Sequence, residues 1–238
     1  MITLPEHFEE FAEARREGFI RIKELKESGQ KICGSFCQYA PAEIIDAAGL
    51  YQVGLCGRSS ASIPAAEEHL PSKLCPLIKS SYGHALEDSC PYAYFSDLVV
   101  GETTCDGKKK MYELLGKIKP MHVIHLPNVP DHERSLEAWT EELRHFVDAL
   151  DARFGESITE EKLREAIRWG NLERIQAARI YELGKYDPPA ICSTRKKNIA
   201  SSSRYLTCAR RTGTRETDRI SRMSIRFGLW FRAQELRE

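Results

Sequence analysis

The stretch "SDLVVGETTCDGKKKMYELLGKI", residues 96–118, decides the architecture. Its first half is an apolar run of strand length, closed by a Gly/Thr turn. Its second half reads as a helix, and "MHVIHLP" at 121–127 reads as a further strand. A strand, a helix and a strand in succession imply a crossover connection and parallel neighbours. The same stretch carries an electrostatic oddity. Lys108, Lys109 and Lys110 stand in the first turn of the helix, where positive charge opposes the helix dipole. An anion in front of that turn would make them tolerable, and Cys105 lies just before it.

Working outward, the pattern repeats. Residues 5–28 place Phe8, Phe11, Ala12, Phe19, Ile22 and Leu25 at helical spacing between Pro5 and Gly29. "KICGSFC" at 31–37 and "YQVGLCG" at 51–57 read as strands. Between them "APAEIIDAAG" reads as a helix opened by Pro41 and closed by Gly49. "GRSSASIP" is loop, and residues 65–95 offer two short helical patterns interrupted by Pro71, Pro76 and Pro91. Residues 1–134 are therefore expected to form an α/β domain, an open and mainly parallel sheet flanked by helices. Amphipathic helices over 135–154 and 159–186 form an expected helical pair or connector, residues 135–191. The expected third segment, 192–238, is an irregular basic tail.

Of 238 residues, 42% are hydrophobic, enough for a buried core. The first twenty residues lack the order of a secretory signal, and no apolar run approaches a membrane span, which points to the cytoplasm. Net charge is zero but unevenly placed. Residues 1–191 hold 23 Lys+Arg against 31 Asp+Glu, whereas 192–238 hold 12 against 4. Three readings fit that tail: a change of reading frame near Ile191 in place of a second α/β domain, a disordered tail, or a polyanion-binding segment. It has too few aromatics for a nucleic-acid stacking platform. Neither a P-loop nor a dinucleotide fingerprint is present, so ATP or NAD binding is not indicated.

Eight cysteines in a chain read as cytoplasmic are not expected to form structural disulfides. Cys37 ends the first strand candidate and Cys105 follows the third, the loop positions where open parallel sheets build sites. Cys75 and Cys90 lie in the proline-interrupted region. No CxxC pair occurs, and Cys33 and Cys37 on one strand would stand about 13 Å apart, too far to share one zinc ion. Thiolates from separate loops suit an iron–sulfur cluster better, and a cubane held by four thiolates is an anion for the lysines to face. Cys33 and Cys56 read as packing residues. Catalytic residues are not fixed; Glu102, in the turn of Cys105, and Ser81, in "KSSYG", are the candidates. Ser80, Ser81 and Tyr82 are also candidate donors to cluster sulfur. His122 and His125 are expected on opposite faces of their strand, unable to share a metal.

"FCQYAPAEIIDAAGLYQV", "LPSKLCPLIKSSYGHAL", "CPYAYFSDLVVGETTCDGKKKMYELL" and "ITEEKLREAI" resemble the 2-hydroxyacyl-CoA dehydratase D-component family, and most nearly its branch of double-cubane cluster proteins. The resemblance spans roughly residues 5–191. It implies the first of two similar Rossmann-like α/β domains with an iron–sulfur cluster, [4Fe–4S] or double-cubane, between them. It also implies electrons supplied by a separate ATP-dependent activator iron–sulfur protein, and a homodimer or heterodimer. Dehydratases of the family eliminate water from a 2-hydroxyacyl-CoA through a ketyl radical; the double-cubane branch looks like a reductase of small molecules. By motif, Cys37 in "CQYAPAE" and Cys105 in "TTCDG" are the leading cluster ligands, with Cys75 and Cys90 next. Cys192 and Cys208 do not match the second-domain motifs. An interaction protein with structural cysteines and a polyanion-binding tail is the rival from another class.

Overall fold

Two strands of the chain are buried from end to end. They are β1 (Ile32–Phe36) and the strand at Leu98–Glu102, the apolar runs expected from the sequence. The computed structural model describes residues 8–185 except 38, 58, 156, 183 and 184; the expected tail, 192–238, with Cys192 and Cys208, lies outside them.

Within that range α1 (Phe8–Glu27) precedes β1, and α2 (Ala42–Ala47) leads to β2 (Tyr51–Leu55). Pro41 stands at the N-cap of α2, and Gly49, at φ +72°, supplies the left-handed turn that follows it. Three helices come next, α3 (Ile63–Glu67), α4 (Pro76–Leu86) and α5 (Pro91–Phe95), each with proline in its first turn. Then come β3 (Leu98–Glu102), α6 (Asp106–Leu115) and β4 (Met121–Ile124). The chain continues as α7 (Ser135–Phe154), ended by Gly155 at φ +69°, and α8 (Glu160–Glu182).

Among the described residues the strands form one all-parallel, four-stranded sheet in the order β2-β1-β3-β4. The open α/β class expected from the sequence is the one observed. Side chains alternate across the pleat, so each face has its own core. On one face Ile32, Phe36, Val53, Leu55 and Val99 meet Ile78, Tyr82 and Ala85 of α4 and Met111, Tyr112 and Leu115 of α6. On the other, Cys33, Leu98, Val100 and Ile124 meet Ile44 and Ile45 of α2 and Phe146 and Leu150 of α7. The helix after β1 and the helix after β3 thus cover opposite faces, the mark of a doubly wound sheet. Phe146 and Leu150 are fully buried, so α7 contributes to this core.

The chain divides into two compact units. Residues 19–167 carry the sheet. The described part of the other unit is helical, residues 8–18 of α1 and 168–182 of α8. In the sheet-bearing unit, α1 is fastened through Ile22 in the core, Phe19 edge-on to Tyr92 at 5.3 Å, and Lys26 bonded to Asp97 at 2.6 Å. No helix among the described residues is long and apolar enough to cross a membrane.

Candidate functional site

The sheet order reverses between β1 and β3: β1 connects outward to β2 on one side, and β3 to β4 on the other. In open parallel sheets the two departing loops leave a crevice at the carboxyl ends of such strands, which is where ligands bind. Here those loops carry Cys37, one residue after β1, and Cys105, the N-cap of α6.

Cys37 does not continue its strand as the sequence suggests. Its φ of +61° turns the chain out of β1 and leaves the thiol exposed, so the strand spacing to Cys33 does not apply. Cys33 is 0% exposed and belongs to the core, as expected of a packing residue.

The three lysines sort by partner. Lys109 pairs with Asp106 at 3.2 Å and Lys110 with Glu113, both within α6. Lys108 instead turns to the crevice and donates its ammonium hydrogen to the sulfur of Cys37.

Two buried oxygens, Glu102 Oε2 at the end of β3 and the hydroxyl of Tyr112 in α6, have no hydrogen-bond partners among the described residues. Glu102 is 0% exposed, and its Oε1 accepts the Ala40 amide at 2.7 Å, tying the end of β3 to the loop after Cys37. Burial pushes the Glu102 carboxyl above the ordinary carboxylate range, although the Ala40 amide and the Lys108 charge pull it back. Burial likewise raises the Tyr112 phenol, and the negative charges of Glu102, Cys37 and Cys105 push it further the same way. Sequence reasoning missed Tyr112. The available signal was Gly101, a glycine inside a strand marking close approach by another group.

The remaining candidates stand on other elements. Cys75, exposed, is the N-cap of α4; its neighbours Leu74 and Ile78 would stand 2.9 Å from a Cβ on Gly107, so the starts of α4 and α6 pack together. Cys90, half-buried at the N-cap of α5, lines a small apolar pocket with Cys56, Phe36, Ala85 and Leu115. The Ser81 hydroxyl donates to the Leu77 carbonyl at 2.8 Å and accepts the Gly57 amide at 2.9 Å. Ser80 donates to the Ser59 carbonyl, and the Tyr82 hydroxyl meets His69. All three hydroxyls therefore have protein partners. His122 tilts against Phe146 at 5.0 Å, with its pKa lowered by burial, while the His125 amide bonds to Glu142. Among the described residues no three His, Cys, Asp or Glu side chains converge on a point that would hold a single metal ion.

A family model described as "2-hydroxyglutaryl-CoA dehydratase, D-component" matches residues 37–221. The chain belongs to this family. The match begins at Cys37, includes Cys75, Cys90 and Cys105, and continues past Ile191. Among curated relatives of the D-component family, the chain is 50% identical over 188 residues to the Escherichia coli (strain K12) protein named "Putative dehydratase subunit YjiM". That alignment covers 79% of this chain and 49% of the relative. It is 25% identical over 189 residues to the "(R)-phenyllactyl-CoA dehydratase beta subunit" of Clostridium sporogenes, covering 78% of this chain and 49% of that one. The chain thus spans about half the length of the curated relatives it matches.

Proposed function

We propose that this D-component chain contributes thiolates to an iron–sulfur cluster and works as a low-potential reductase component, its electrons supplied by a separate ATP-dependent activator iron–sulfur protein. The observation that carries this reading is the crevice between β1 and β3, flanked by Cys37 and Cys105, with the Lys108 ammonium on the Cys37 sulfur. Soft thiolate donors, a cation facing them and a helix start beside them fit a sulfur-rich anionic group. Cys37 and Cys105 are the proposed ligands, with Cys75 and Cys90 as further ones. When bound, the cluster supplies single electrons at low potential. Lys108 offsets negative charge at the crevice, and Glu102 holds the Tyr39–Ala40 segment that follows Cys37. In this reading the α/β part within residues 1–134 binds the cluster in a cytoplasmic homodimer or heterodimer, and a small molecule receives the electrons.

A second reading is favoured by the names of both relatives. In it the chain is a subunit of a dehydratase acting on a 2-hydroxyacyl-CoA thioester.

Anaerobic purification of the full chain tests the shared core of both readings. The protein is expected to be brown and to hold several iron atoms per chain with matching sulfide. Cys105→Ala is expected to lose most of that iron, and Cys33→Ala, altered only in the core, to keep it. A colourless, iron-free wild type overturns the assignment. With activator and ATP present, water elimination from a 2-hydroxyacyl-CoA favours the dehydratase reading, and electron transfer to a small molecule without elimination favours the reductase.

A further inference from the structure

The Tyr112 hydroxyl is a buried hydrogen-bond donor with no acceptor among the described residues. Tyr112 is 2% exposed, and buried phenols normally find a partner because a buried donor left unbonded has lost its bonds to water without replacement. Its position is not accidental slack. The ring is seated on bare backbone: a Cβ on Gly101 would lie 2.4 Å from Cζ, the carbon that bears the hydroxyl. Phe36, the last residue of β1, flanks the ring at 5.7 Å between centroids. The next residue is Cys37, and Cys105 is the N-cap of the helix that carries Tyr112. The ring that bears this O–H is thus packed against the last residue of β1, one position before Cys37, and against the end of β3.

We infer that Tyr112 donates its phenol hydrogen to sulfur of the group held by Cys37 and Cys105, making it a positioning residue that sets the electronic properties of that group. The inference rests on the cluster reading above. The missing acceptor is then the bound group itself, and the orphaned donor is completed when the site fills. A hydrogen bond to cluster sulfur stabilises the more negative, reduced state and raises the reduction potential. The chemistry explains the choice of tyrosine over phenylalanine at a position whose packing needs only a ring. It also explains the glycine at 101, since any larger residue would drive the hydroxyl off its seat.

Tyr112→Phe tests this in the anaerobically prepared full chain. Because the hydroxyl donates to no acceptor among the described residues, the variant is expected to melt no lower than wild type without iron. Loaded, it is expected to hold as much iron as wild type, with its midpoint potential shifted to more negative values. The Fe–S stretching bands of wild type are expected to shift in D2O, and that shift to shrink in Tyr112→Phe. Gly101→Ala, which keeps the hydroxyl but displaces it, is expected to move the potential in the same direction. An iron-replete Tyr112→Phe with unchanged potential and unchanged deuterium shift overturns the inference and leaves the cluster reading standing. A Tyr112→Phe protein that fails to fold or to retain iron also overturns it, because the hydroxyl would then be structural or a ligand. Absence of iron from wild type itself is the separate outcome that removes the cluster reading.

Discussion

Gly83→Ala is expected to destabilise the sheet-bearing unit by about 2 kcal/mol, a large share of an ordinary domain's margin. Gly83 lies inside α4, where alanine normally gains roughly 1 kcal/mol in helix propensity. Here a Cβ would stand 1.9 Å from the carbonyl oxygen of Ser62 and 2.7 Å from its carbonyl carbon. Both are backbone atoms, so no side chain can swing aside. Ser62 is itself pinned, its hydroxyl donating to the Ser80 carbonyl at 3.0 Å while Ser80 donates to the Ser59 carbonyl at 2.6 Å. Relief requires α3 and α4 to part along their whole contact, at the upper end of the ~1–3 kcal/mol typical of overpacking, and the propensity gain recovers only part of it. Urea denaturation is the measurement, with a lower midpoint at unchanged slope as the expected result. Gly54→Ala is the control, because nothing lies within 4 Å of a Cβ there. Equal midpoints for Gly83→Ala and wild type would show that the two helices are not packed this closely.

That contact illustrates what the sequence conveyed and what it withheld. The parallel sheet was legible because β1 and β3 are buried on both faces, and apolar neighbours in sequence (Ile32 and Cys33; Leu98, Val99 and Val100) replace strict alternation in them. Helix ends at Pro41 and Gly49 were legible for local reasons, φ preference and a missing donor. Tertiary contacts are another matter. The amphipathic pattern of residues 135–154 states that one face is apolar, not that Phe146 and Leu150 are laid on the sheet. Three consecutive lysines pose an electrostatic question, but only the fold selects Lys108 to answer it and returns Lys109 and Lys110 to carboxylates of their own helix. The positive φ of Cys37 has no sequence signature, because cysteine has no special preference for that region. Tyr112 escaped notice for a related reason: its hydroxyl is notable only once its surroundings are known to lack an acceptor.

Glu102 gives the second large effect, and its size depends on pH. Glu102→Ala is expected to cost about 3 kcal/mol, since it leaves the buried Ala40 amide unbonded and opens a cavity at the end of β3. Glu102→Gln keeps an oxygen for that amide and removes the titration, so it isolates the charge. Burial raises the carboxyl pKa in the folded state above its unfolded value. At a pH below the unfolded value, about 4.3, both states are protonated and the carboxyl's contribution to stability is fully present. As pH rises, the unfolded chain ionises first while the folded chain keeps its proton, and that contribution falls by up to about 1.4 kcal/mol per pH unit. The loss ends at the folded pKa, above which both states are charged and the difference is constant. Wild type is therefore expected to lose stability relative to Glu102→Gln as pH climbs above the unfolded value, the reverse of a carboxylate held by a salt bridge. Paired urea melts across that range read the effect directly. A gap between the two proteins that stays flat with pH would mean that Glu102 ionises in the folded chain as readily as in the unfolded one. Lys108 would then be compensating for burial at Glu102 while it also faces the Cys37 sulfur, and Lys108→Met would be expected to bring the pH dependence back.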